Sequence, residues 1–237
     1  MAIFALSQPY RDKAPLLVAL LISSILSVVI YVARVVYSGH WTFFFLNWNL
    51  FLAWIPLFSA LALWHVDQRN VRLKGLRAVL FVGWLIFLPN SPYLMTDFVH
   101  LVHRQKVPLW YDMLLIFSFA WNGLILGFLS LWIVQAFVQA RFGKWISRLV
   151  VGFSLLASGF GVYLGRFLHW NSWDFFLDPH NLLIDILHGF SDPLSYPRTL
   201  GVTLLFSSFL TIAYITLTLL IKVRWAHLDS DESISRS

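Results

Sequence analysis

"LPNSPYLMTDFVH", residues 88–100, decides how this chain is read. It follows an apolar run, Ala78–Phe87, with the composition of a membrane-embedded segment. The run ends in two prolines, an asparagine, an aspartate and a histidine rather than in an ordinary charged loop. Pro89 has no amide hydrogen to donate, and it disfavours helix at Leu88. Ser91 suits an N-cap, and Pro92 suits the first position of a new helix. The pattern predicts a break at Leu88–Pro89 and a fresh helix over about 92–104. On an α-helix Tyr93, Asp97, His100 and Arg104 fall at i, i+4, i+7 and i+11, which is one stripe.

The rest of the chain sets this break in a membrane. Of 237 residues, 59% are hydrophobic and only 12% charged, about half the charged share of a soluble domain. Mean hydropathy is +0.74. This is the composition of an integral membrane protein, and its partner is the lipid bilayer. The net charge of +6 is then first a topology signal, not a sign of nucleic acid. There is no cysteine, which excludes thiolate chemistry and disulfides. The N-terminus "MAIFALSQPYRDKAP" lacks the short apolar stretch and small-residue cleavage site of a signal peptide.

A span needs about 20 mostly apolar residues. Six candidates are found, at about 15–37, 42–64, 78–95, 113–140, 149–168 and 199–222. If all six cross, twelve basic residues share one side, among them Arg11, Arg69, Arg72, Arg77, Arg141, Lys144 and Arg224. The positive-inside rule then puts both termini in the cytoplasm. The expected architecture is an all-α, polytopic membrane helix bundle, N-in/C-in, forming a single domain over 1–237. Short interfacial helices are expected on the outer side at about 92–104 and 179–189. The second has Asp178 as N-cap, Pro179 at N1 and Gly189 at its end. Gly123 and Gly127 form one small-residue row and Gly161 and Gly165 another, so the fourth and fifth spans are expected to pack together. The halves show no inverted repeat of the transporter kind.

In that topology the Asn, Asp, His and Arg residues in and beside the spans gather in the outer half, and the inner halves hold mainly Ser, Thr and Gln. Asp97, His100, Arg166, His169 and Asp174 are the candidate catalytic set. Arg166 stands out because it interrupts an apolar run, where a charge must snorkel, pair or line a wet cavity. Asn47, Asn90, Tyr93, Asn122 and Asn171 are candidate pocket residues, with Asn49 and Arg34 in the same half. For Asn122 the plain alternative is an interhelical hydrogen bond. Asp112 suits a helix N-terminus, where it meets the positive dipole end. Asp97, His100, His103 and His169 are of the types that ligate a divalent metal such as zinc. Their spacing matches no established ligand motif. An Asp97–His100 acid–base pair oriented by Arg166 is the other chemistry open to them. No P-loop, GxSxG or Rossmann fingerprint is present, so no nucleotide is expected.

"LNWNLFLAWIP" (46–56), "FLPNSPYLMTDFVHL" (87–101), "WYD" (110–112) and "GVYLGRFLHWNSWD" (161–174) resemble a family of bacterial integral membrane proteins, domain of unknown function 1361. The similarity covers roughly residues 15–222. It implies a polytopic protein of a bacterial, cytoplasmic (inner) membrane. It implies no activity, and it carries no catalytic residues over. Two functions stay open: an outward-facing polar pocket for a small or lipidic ligand, with or without catalysis, and a non-catalytic membrane scaffold.

Overall fold

The structure, a computed structural model, describes residues 14–68, 74–102, 106–170, 172–191 and 197–235. For residues 176, 187–191, 197 and 222–235 it describes the backbone alone. Arg11, Arg69, Arg72, Arg104, His103 and Asn171 lie outside the described residues.

Among the described residues there is helix and no strand. Helix α1 is Ala14–Ser38, α2 Phe44–Gln68 and α3 Lys74–Phe87. A one-turn α4, Asn90–Tyr93, runs into a 3₁₀ helix, Leu94–His100. Then come α5 (Leu109–Phe167), α6 (Asp174–Leu177), α7 (Pro179–Ser191) and α8 (Pro197–Ser235). Five stretches are long and apolar enough to cross a membrane: α1, α2, Lys74–His100, α5 and Arg198–Ile221.

Helix α5 cannot be one straight rod. Its 59 residues would reach ~88 Å at 1.5 Å each. At Gly143 the backbone turns to φ 84, ψ 174, a conformation essentially reserved for glycine. Beyond it Ser147 Oγ donates to the Gln135 carbonyl at 3.0 Å, across twelve residues. In a continuous helix those two positions would stand ~18 Å apart along the axis. The two arms of α5 therefore fold back on each other. The sequence suggested a loop over 141–148. Apart from Gly143 the helix persists, because Arg and Lys are good helix formers.

Helix α5 is also the centre of the bundle. Its most apolar window is 67% buried, against 22% for α1 and 17% for α8. Leu115, Ile116, Phe119 and Leu126 of its first arm are fully buried with Leu46, Leu57 and Leu63 of α2. The outer helices expose Ile22, Val36, Leu205 and Ile212, the apolar surface that a lipid-facing helix carries. Polar bonds fix the helices in register. Asn122, 1% exposed, donates to Ser27 Oγ (3.0 Å), the Ser23 carbonyl (3.3 Å) and its own helix at Ser118 (2.8 Å). It also accepts from Ser24 Oγ at 3.4 Å. This joins α1 to α5, the interhelical role that was the plain alternative for this residue. Tyr214 of α8 donates to Gln135 Oε1 at 2.5 Å, and Trp132 Nε1 donates to Thr218 Oγ1 at 2.8 Å.

The break forms where Pro89 predicts it, with α3 ending at Phe87. Its continuation differs from the expected helix over 92–104. Helix α4 begins at Asn90, Pro89 occupies the N-cap position, and no side chain caps it. Ser91 is fully buried and turns its hydroxyl to the Ala53 carbonyl on α2, 3.4 Å away. The glycine rows explain how the segment fits. A Cβ at Gly123 would stand 2.5 Å from the Ser91 carbonyl oxygen, and one at Gly127 2.7 Å from Ser91 Cβ. On the other arm, a Cβ at Gly161 would stand 2.5 Å from Pro89 Cβ, and one at Gly165 2.9 Å from the Tyr93 ring. Each row faces the 89–94 segment. The missing side chains are the space into which the break is wedged.

Candidate functional site

The residues after the break are set by the 3₁₀ helix. With about three residues per turn, positions i and i+3 eclipse. Asp97 and His100 thus line up, and Thr96 falls below Tyr93. Arg166, in the last turn of α5, reaches this face. Its Nη2 donates to Asp97 Oδ1 at 2.5 Å and to Thr96 Oγ1 at 2.7 Å. Its Nε donates to the same Thr96 oxygen at 2.9 Å, and Nη1 meets His100 Nε2 at 3.1 Å. The guanidinium carbon lies 4.7 Å from the centre of the Tyr93 ring. Thr96 passes its own hydrogen to the Tyr93 carbonyl, 2.7 Å away.

Arginine only donates, so in this contact His100 Nε2 is the accepting partner. The Asp97 side chain is 1% exposed. Its second oxygen accepts from Asn49 Nδ2 at 3.1 Å. A buried carboxylate costs several kcal/mol unless it is paired and bonded, and Arg166 with Asn49 does both. Each Asp97 oxygen thus has one bonded partner, Arg166 on Oδ1 and Asn49 on Oδ2. Chemically the arrangement is a clamp: it ties the 3₁₀ helix to the end of α5 and the start of α2.

Tyr93, Asp97, His100 and Arg166 thus come together as the sequence grouped them. The others do not join. His169 takes φ 59 at the end of α5, where the Trp170 amide donates back to the Leu164 carbonyl at 3.1 Å. It is the left-handed residue of a helix C-terminus. It is exposed and shares no bond with the clamp. Asp174 opens the short helix α6, outside the clamp. Asn47 donates to the Phe44 carbonyl at 3.3 Å, within its own first turn. Asn49, two residues further on, is the one that reaches Asp97. Asn122 is committed to the α1–α5 contact. Asp112 pairs with Arg34 through two bonds, Nε–Oδ1 at 2.6 Å and Nη2–Oδ2 at 3.2 Å, each side chain 1% exposed. Arg34 also lies 4.6 Å from the Phe43 ring centre. Among the described residues no three His, Asp or Glu side chains gather as metal ligands would.

Beside the clamp lies a cavity of about 80 Å³. Asn49, Asn90, Tyr93, Trp170 and Ser172 form its polar wall, and Pro89 against Gly161 closes one side. Asn90 Nδ2 donates to the Phe87 carbonyl (3.0 Å) and to Ser172 Oγ (2.7 Å), and Ser172 Oγ donates to the Ile86 carbonyl at 3.3 Å. A second cavity of about 180 Å³ adjoins it, walled by apolar side chains including Leu85, Phe160, Leu164, Leu182 and Ile186. Pro89, Gly161, Trp170 and Ser172 line both. Helix α7 brings Leu182 and Ile186 to the apolar cavity. Asp185 on that helix accepts from Trp170 Nε1 at 2.8 Å.

Thr96, Leu52 and Trp170 were not among the residues singled out from sequence. A model of the family described as "Protein of unknown function (DUF1361)" matches residues 48–213, a span that contains the clamp and both cavities. No curated protein and no solved structure matches the chain.

Proposed function

For this chain, which belongs to the DUF1361 family, we propose the binding of an amphiphilic ligand in an outward-facing pocket of a multi-pass membrane protein. The observation that carries the reading is the shared wall. A polar cavity and an apolar one meet at Pro89, Gly161, Trp170 and Ser172. A ligand with a polar head and an apolar chain matches that sequence of surfaces. Small-molecule sites combine an apolar lining with a few placed polar groups in just this way.

Counting the arms of α5 separately gives six crossings over one domain, 1–237. The loops rich in Arg and Lys then face the cytoplasm, and the clamp faces outward. Asp67 supports a common side for three helix ends, since it pairs with Arg77 at 3.5 Å and also with Arg141. In this reading α4, the 3₁₀ helix and α7 lie at the outer membrane surface, and the membrane is the bacterial inner one. Arg166, Asp97 and His100 serve as positioning residues that hold the break open beside the cavity. The scaffold reading keeps one observation on its side: Asn122 and the Arg34–Asp112 pair bond helix to helix.

Native mass spectrometry of the protein released from its own membrane tests the proposal. One amphiphile per chain is expected to survive release. Ile186→Trp, which fills the apolar cavity away from the clamp, should abolish the adduct while the fold persists. An equal adduct in Ile186→Trp, or none in the wild type, would overturn the reading.

A further inference from the structure

The polar cavity carries information about the head group it suits. Asn90 has both amide hydrogens committed, to Phe87 O and to Ser172 Oγ. What it retains for a ligand is its carbonyl oxygen. The amide end of Asn49 is held on the Asp97 carboxylate, an acceptor-only partner that fixes the orientation of the side chain. The Ser172 hydrogen goes to the Ile86 carbonyl. The wall thus offers neutral groups only: amide carbonyl oxygens that accept, with the Tyr93 hydroxyl and the second Asn49 amide hydrogen as donors. Among the described residues no cationic side chain lines it, and the nitrogens of Arg166, which stacks on Tyr93, are engaged by Asp97, Thr96 and His100. The aromatic rings of Tyr93 and Trp170 complete the lining.

An anionic head group needs positive charge, and would meet amide carbonyl oxygens and a lining without a cationic side chain here instead. Bringing like-polarity groups together without partners costs free energy. A head group bearing several hydroxyls donates to those oxygens, accepts from the Tyr93 hydroxyl, and lays its C–H faces on the two rings. Resting on the pocket reading above, we infer that the ligand is a hydroxylated amphiphile, with its polyol or glycosyl head among Asn49, Asn90 and Tyr93 and its chain in the cavity of Leu182 and Ile186. A volume near 80 Å³ has room on the order of half a dozen waters, at ~10–15 Å³ each. That suits one small polyol or sugar ring, not an extended oligosaccharide.

The test uses the full-length protein in nanodiscs and equimolar dodecyl glucoside, dodecyl phosphate and free glucose, read by retained mass in native mass spectrometry. Dodecyl glucoside should be retained at least about tenfold over dodecyl phosphate, and free glucose should compete weakly. Tyr93→Phe removes a hydroxyl that bonds to no other group among the described residues and keeps the ring against Arg166. It should weaken dodecyl glucoside by about fivefold, the size of one neutral hydrogen bond. Preference for dodecyl phosphate, or retention blind to the head group, would overturn the inference and leave the amphiphile pocket standing. Retention of neither amphiphile would overturn both. Glucose competing as well as dodecyl glucoside would overturn the amphiphile and assign the cavity to a soluble polyol.

Discussion

Adding one methyl group at Gly161 should loosen the bundle, although alanine is the better helix former. A Cβ at that position would stand 2.5 Å from Pro89 Cβ and 2.6 Å from Pro89 Cγ. The proline ring cannot rotate away, and the break behind it is held by the glycine row of the other arm. Overpacking of this kind costs about 1–3 kcal/mol. Helix propensity returns up to about 1 kcal/mol for Gly→Ala. The net expectation for Gly161→Ala is a loss of about 0–2 kcal/mol. Gly152, nine residues earlier on the same arm, is the internal control. Nothing stands within 4 Å of a Cβ built there, and the position is exposed. Gly152→Ala should therefore gain about 0.5–1 kcal/mol from propensity alone. Steric trapping in bicelles, which reads unfolding free energy under native lipid conditions, measures both. Equal shifts of the same sign would refute the wedge of Pro89 against the second arm.

Three further outcomes follow from the same packing. Arg34→Met leaves Asp112 charged and buried, and should cost about 3–5 kcal/mol; adding Asp112→Leu should restore most of it, as a double-mutant cycle in unfolding free energy would reveal. Asn122→Ala removes three interhelical bonds, to Ser23, Ser24 and Ser27, and at about 0.6 kcal/mol each in a membrane should cost about 2 kcal/mol by the same assay. Gly143→Ala forces a side chain into a backbone region essentially reserved for glycine, which costs about 1–3 kcal/mol and should lower the melting temperature in detergent.

Much of this was legible in the sequence because it is local. Pro89 announces the end of α3 through its missing amide. Arg166 announces a partner because a charge in an apolar run needs one, and the polar residues after the break were the natural candidates. What escaped depended on geometry that only packing decides. A stripe drawn with α-helical spacing put Tyr93 and Asp97 on one face and left Thr96 off it. The 3₁₀ winding brings Thr96 under the guanidinium. Asn47 and Asn49 are indistinguishable by composition, and the helix register of α2 selects the second. The bond from Arg34 to Asp112 spans 78 positions, so no local pattern could pair them. The glycine rows signalled close approach correctly. The segment that they take in, 89–94, is a helix interior broken by proline, which sequence spacing does not place in space.

An experimental structure in lipid nanodiscs, at a resolution that separates head groups from chains, tests the central claim most directly. The account predicts one continuous ligand density, its head beside Asn49 and Asn90 and its chain running past Pro89 and Gly161 to Leu182 and Ile186. Density confined to the outer perimeter of the bundle, with only water between Asn90 and Ile186, would contradict it.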